Sequence, residues 1–294
     1  MRNLFEEKKI AKNIYDIIPC KIEEYHTDKK YDIIIAEGFL HFLSDQQVII
    51  DKMKKLINKN GIIVITCSDH ASLFIEDMKR IIGLRLAKDR SGYEEKVQYL
   101  TKLFAPQLAK LKGVSRSAKD WVQDMILNPV ISSNTELSMA TAIRYFEKDF
   151  DVLGSSPVMF TDYSWYKDIW YDYKENYIEQ FEEKRHSLIM ANMPELKLTL
   201  EQSEILTDQF QKIREIASCY EKDYDSQYLR EILGELDLIE TYIKYFDQEF
   251  IDVFCDIKDA LTKILETGFL EMDNYVHLYS AFGRTQQYMS FIKQ

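Results

Sequence analysis

Apolar and polar positions follow two different periods along this chain. Tyr31-Asp32-Ile33-Ile34-Ile35-Ala36 and Gly61-Ile62-Ile63-Val64-Ile65-Thr66-Cys67 are short, β-branched apolar runs that end in small or polar residues, and each predicts a strand. Between them, Asp45 to Ile57 carries a helical pattern, and Lys59-Asn60-Gly61 forms a turn into the second run. Together they predict a β-α-β unit in a parallel sheet buried on both faces. Ligands of such sheets lie beyond the carboxyl ends of the strands, here Glu37-Gly38 and Thr66-Cys67-Ser68-Asp69.

The same patterning predicts an amphipathic helix over 3–15 and a short strand over 17–24 that contains Pro19. Helices are expected at 72–87, capped by Asp69 or Ser72, and at 91–112, 117–127 and 136–147. Phe150 to Pro157 reads as a strand. Ser164 to Met193 reads as one long helix that Pro194 ends. Three helices with apolar faces follow at 199–221, 224–247 and 248–266, and Gln287 to Lys293 alternates as a final strand.

Composition narrows the classes. The chain has 294 residues, is 46% hydrophobic and carries a net charge of −11. Acidic protein repels phosphate, which argues against a nucleic-acid partner or an anionic membrane surface. That balance does not exclude a local basic patch, for which Arg80, Arg85, Lys88 and Arg90 are the candidates. The four cysteines, Cys20, Cys67, Cys219 and Cys255, show neither metal spacing nor a disulfide framework, so no metal and a reduced, cytoplasmic protein are expected. No apolar stretch approaches the roughly 20 residues that span a membrane. Only 9 glycines are present, which favours long helices over several phosphate-binding glycine loops.

The Tyr-Asp-Ile-Ile-Ile-Ala-Glu-Gly strand, the helix after it and the Lys-Asn-Gly-Ile-Ile-Val-Ile-Thr strand resemble the fourth and fifth strands of class I S-adenosylmethionine-dependent methyltransferases. Asp32 takes the place of the family's acidic residue near the start of the fourth strand, and Gly61 that of the turn glycine before the fifth. Phe150 to Pro157 and Gly283 to Lys293 resemble the last two strands of a subgroup with a helical insertion between them. The resemblance implies a partial Rossmann-like α/β fold with a mostly parallel sheet. Residues 1–163 and 282–294 would form the methyltransferase-like unit and 164–281 the helical insertion. The implied activity is methyl transfer from S-adenosylmethionine to a small-molecule or protein acceptor.

One departure is large. The family's Gly-x-Gly-x-Gly turn, and the acidic residue that binds the cofactor's ribose, have no counterpart here; the first glycine is Gly38. The chain starts at what resembles the helix after the second strand, through truncation or genuine loss. A sheet begun so late would expose an edge strand, so poor solubility or a homodimer through that edge is expected. The alternative function is a non-catalytic binding or scaffold protein on a degenerate methyltransferase fold.

On the cofactor side, the resemblance points to Ile22 against the adenine ring, Glu23 at its amino group, and Glu37 and Gly38 where cofactor and acceptor meet. The other reading of Glu23 is a solvated turn carboxylate, and that of Glu37 a helix-capping one. On the acceptor side stand His41, His70, Trp165 and Tyr166. His41 is either a base titrating near neutral pH or a histidine packed among Phe39, Leu40 and Phe42. Trp165 and Tyr166 either line a pocket or fill a helix core. No catalytic residue is named, because methyl transfer rests largely on orientation.

Overall fold

Four strands form one sheet in the order β1-β2-β4-β3 in the computed structural model, which describes residues 7–8, 14–109, 116–131, 136–160 and 176–294. β1 (Tyr31–Ala36) and β2 (Ile57–Cys67) are parallel, joined through helix α1 (Gln46–Leu56). β4 (Gln287–Lys293) runs antiparallel to both of its neighbours, β2 and β3 (Phe150–Ser156). The sheet is therefore mixed, where the sequence suggested a mostly parallel one. The parallel β-α-β unit forms as expected, but the closing strand returns from far along the chain and enters the sheet against its direction.

One face of the sheet is packed. Ala36, Ile63, Ile65, Met289 and Phe291 lie under Ile49, Ile50 and Met53 of α1 and under α5 (Met139–Phe146). Phe146 stacks on Phe291 with ring centroids 4.2 Å apart. Among the described residues nothing packs the other face, contrary to the expectation of burial on both sides. Ile33 and Ile35 are 60% and 65% exposed there, and their register partners Ile62 and Val64 are half-buried. The chain sends its other helices elsewhere, into a second core.

That core forms around α2 (His70–Leu86), which is buried on nearly every side from His70 to Leu84. A helix can sit at such a centre only if it is apolar all round or if its polar groups are matched. Here its charged groups are matched. Glu76 accepts from the Gly283 N–H at 3.0 Å, and Lys79 donates to the Ala281 carbonyl. Asp77 pairs with Arg214, and Arg80 with Glu221. Around it pack α3 (Tyr93–Leu108), α4 (Ala118–Trp121, continued by a π turn over Val122–Ile126), α7 (Leu200–Asp223), α8 (Ser226–Glu240), α9 (Gln248–Thr267) and α10 (Val276–Ser280).

Two other expected elements differ. Residues 17–24 form bends and turns rather than a strand. Pro19 supplies no N–H, Ile18 stays exposed, and a bond of 2.7 Å between the Tyr25 and Tyr31 hydroxyls folds the segment back on the start of β1. Of the long helix expected over 164–193, residues 161–175 lie outside the described residues. The described part is α6 (Tyr177–Lys184) followed by a 3-10 turn, Arg185–Leu188. It stops early because its last-turn carbonyls have other donors: Glu182 accepts from the Ser203 hydroxyl and Glu183 from the Leu198 N–H. The helix expected over 3–15 falls mostly outside the described residues.

Candidate functional site

β1 ends in a turn that only a glycine adopts cheaply. Gly38 has φ +77°, and a Cβ built on it would meet nothing within 4 Å. Its N–H donates to Thr66 Oγ1 on β2 at 2.8 Å, which ties the ends of the two parallel strands together. Beside it, Glu37 Oε1 accepts from the Tyr288 hydroxyl of β4 at 2.6 Å. That bond raises the Tyr288 pKa.

These strand ends open on a cavity of about 580 Å³. Its floor is Glu37, Gly38 and Ser68. Its walls are His41 and Phe42 from the turn after β1, Leu73 from α2, Asp124 and Met125 from the π turn, and Arg214 from α7; Thr285 and Gln286 close it before β4. The size lies in the range of small-molecule sites, about 300–1,000 Å³. Arg116 and Asp124 form an ion pair at the mouth, both near half-exposed, where such a pair adds little stability.

His41 is nearly buried, and burial, followed by the nearby Arg214 charge, lowers its pKa to about 4. It is neutral at neutral pH and packs against the Phe42 ring. His70 does not reach the cavity. It opens α2, and its Nε2 lies 3.6 Å from Glu136 in a buried cluster. Asp69 caps the helix there, accepting from the Ala71 N–H at 2.8 Å. Arg185 donates to Asp69, to Glu136 at 3.1 Å and to Glu182 at 2.8 Å. Burial alone would raise Asp69; the Arg185 charge, then His70, outweigh it and hold the carboxyl below its ordinary value. Burial, then the charge of Asp69, pushes Glu136 up to about 8. The cluster clamps α2 to the turn after α6, so His70 is structural.

Glu37, Gly38 and His41 thus meet at one cavity. Ile22 and Glu23 do not line it; they sit in the turn before β1. Trp165 and Tyr166 lie outside the described residues. Burial raises the Cys67 thiol far above its ordinary value, which removes it as a nucleophile. Sequence reasoning missed Asp124 and Arg214, and also Asn128, which lines the same cavity. Arg214 had a signal, since it interrupts the apolar stripe of α7 between Ile213 and Ala217. Asp124 had none, because a π turn is not visible in periodicity.

The described cavity fits an adenosyl group in part. Glu37 offers a carboxylate and Gly38 open space, but no glycine turn cradles an amino-acid tail and no second acidic side chain stands ready for a ribose on the β1 side. Among the described residues, no group of His, Cys, Asp or Glu has the arrangement of a metal site. Among those residues no helix is long and apolar enough to cross a membrane.

No known protein family matches the sequence, and no curated protein does. Two solved structures are similar to the chain: PKMT2 from Rickettsia typhi, and the same protein in complex with AdoHcy. They are 15% and 14% identical to it, with TM-scores of 0.39 and 0.40. Each match covers 61% of this chain and 38% of theirs. At those TM-scores the likeness carries no weight for this chain's chemistry.

Proposed function

We propose that this chain is a methyltransferase-like α/β protein whose cavity at the ends of β1 and β2 receives an S-adenosyl ligand. One observation carries the reading: the four segments that resemble the family's fourth, fifth and last two strands lie side by side in a single sheet, with a cavity at the carboxyl ends of the parallel pair. S-adenosylmethionine, when bound, supplies an activated methyl group. The chain's own residues bind and orient: Thr66 fixes the Gly38 backbone, Tyr288 aims the Glu37 carboxylate, and neutral His41 packs the wall. The acceptor is a small molecule or a protein group that enters past Arg116 and Asp124.

A second reading, a non-catalytic binding protein on the same fold, is favoured by the partial cradle and by Ile22 and Glu23 lying off the cavity. Calorimetry and thermal melting with S-adenosylmethionine and S-adenosylhomocysteine separate the two. Heat and a melting shift that Gly38→Val abolishes support the first reading. A stable fold silent to both ligands at millimolar concentration rejects it in favour of the second.

A further inference from the structure

Ala281 to Gln286 join α10 to β4 without regular secondary structure, and a buried pair on α2 fixes their course. Glu76 and Lys79 lie three positions apart, on one side of that helix. Glu76 accepts from the Gly283 N–H. Lys79 donates to the Ala281 carbonyl, and its ammonium sits 3.4 Å from the centroid of the Phe282 ring. The Phe282 carbonyl accepts from the Ala191 N–H at 2.6 Å, and the Arg284 N–H donates to the Leu188 carbonyl at 3.0 Å. On the far side the Gln287 amide returns to the Arg284 carbonyl, while Gln287 and Tyr288 already pair with β2.

Thr285 and Gln286 are therefore a two-residue arch, pinned at both ends, and both line the cavity. Among the described residues no hydrogen bond engages either of them. The charged groups of the same lining are all engaged: Glu37 with Tyr288, Arg116 with Asp124, and Arg214 with Asp77. A ligand thus meets least competition at the Thr285 hydroxyl and the Gln286 amide. Because the ends of the arch are fixed beforehand, little backbone entropy is lost when a ligand uses it.

We infer that Thr285 and Gln286 are specificity-determining contacts for an uncharged polar group of the cavity's ligand, and that Glu76 is the residue that positions them. The ribose hydroxyls and the adenine amino group of an S-adenosyl ligand are groups of that kind, and the choice of probe rests on the S-adenosyl reading.

The test uses the 294-residue chain and S-adenosylhomocysteine. Calorimetry is run on the wild type, Thr285→Val/Gln286→Leu, Glu76→Gln and Glu76→Leu, and hydrogen exchange of the amides in 283–286 is measured without ligand. The double variant should melt with the wild type and bind about tenfold more weakly or worse, having lost two hydrogen-bonding side chains. Glu76→Gln keeps an acceptor for the Gly283 N–H, so it should bind within about threefold of the wild type, whereas Glu76→Leu should bind more weakly and exchange 283–286 about tenfold faster. Equal affinity of the wild type and the double variant overturns the contacts while leaving the S-adenosyl reading intact. Unchanged exchange of 283–286 in Glu76→Leu, or a Glu76→Gln as weak as Glu76→Leu, overturns the positioning role. A wild type silent to the probe ends the S-adenosyl reading and the contacts together. The double variant alters only half-buried and exposed side chains, so its result stands whether or not Glu76→Leu folds.

Discussion

Both carboxylate oxygens of Asp77 accept from one guanidinium nitrogen of Arg214, at 2.7 and 2.8 Å, with both side chains almost wholly covered. The pair joins α2 to α7 and sets one wall of the cavity. Burying two charges is costly, and their attraction offsets that cost only while both are present. Arg214→Met should therefore destabilise the fold by about 3–5 kcal/mol, because it strands a buried carboxylate. Asp77→Leu combined with Arg214→Met should recover most of that loss. Urea unfolding of the two single variants and the double variant measures the coupling; strict additivity would show that the pair acts as two independent surface charges.

Gly283 is held against α2 in the same way that Arg214 is held against Asp77, by a buried acid. Its N–H lies 3.0 and 3.2 Å from the two Glu76 oxygens. A Cβ there would meet the Ser72 carbonyl oxygen and stand 2.8 Å from Glu76 Oε2. Gly283→Ala must push β4 away from α2 and should cost about 1–3 kcal/mol or more, as overpacking does. Gly234, inside α8, has nothing within 4 Å of its Cβ position. Gly234→Ala should stabilise by roughly 0.5–1 kcal/mol through helix propensity. Opposite signs for the two substitutions in thermal or urea unfolding are the expected result.

Elements defined by local period were readable in the sequence; those defined by distant partners were not. β1 follows from its β-branched run, β4 from side-chain alternation, and the apolar faces of α7 and α9 from helical spacing. The direction of β4 did not, because alternation is the same for either sense of a strand. The early end of α6 depends on Ser203 and Leu198, residues outside the segment that reads as a helix. At the site, Glu37 and Gly38 were legible because strand ends place ligands. The role of His70 was not. Its sequence position is at the rim, but Glu136 and Arg185 draw that stretch into a buried cluster, and both come from far along the chain.

Tyr288 and Glu37 give a prediction that separates binding from folding. Their bond lies at an exposed rim, where a hydrogen bond contributes about 1 kcal/mol or less. Tyr288→Phe should leave the melting temperature within a degree or two of wild type. It should weaken any S-adenosyl ligand severalfold, because the Glu37 carboxylate loses the donor that aims it. Calorimetry on the variant checks this, and unchanged affinity would remove Glu37 from the proposed site.

His186 supplies a pH dependence with a defined sign. It is fully buried in the turn after α6, with Nδ1 3.5 Å from the Ser203 hydroxyl and its ring 5.9 Å from that of Phe210. Burial, then the Arg185 charge, lowers its pKa to about 3, although Asp69 pulls the other way. An unfolded histidine takes its proton near pH 6.5, roughly, so between there and pH 3 the unfolded chain binds more protons than the folded one. Stability contributed by His186 is therefore complete above about pH 7.5 and falls as the solution is acidified, at up to about 1.4 kcal/mol per pH unit. Glu76 and Glu136 act in the opposite sense. Burial raises them to about 7 and 8, so the stability that they add as neutral acids is lost as the pH rises through those values. The total curve mixes these terms, and His186→Gln isolates one, since glutamine keeps a polar group beside Ser203 and does not titrate. The difference in unfolding free energy between wild type and His186→Gln should be flat above pH 7.5 and move in favour of the variant between pH 6.5 and pH 4. A difference that stays constant over that interval would mean that His186 is protonated in the folded chain, with water or a counter-charge reaching a ring that the packing of α6 and α7 encloses.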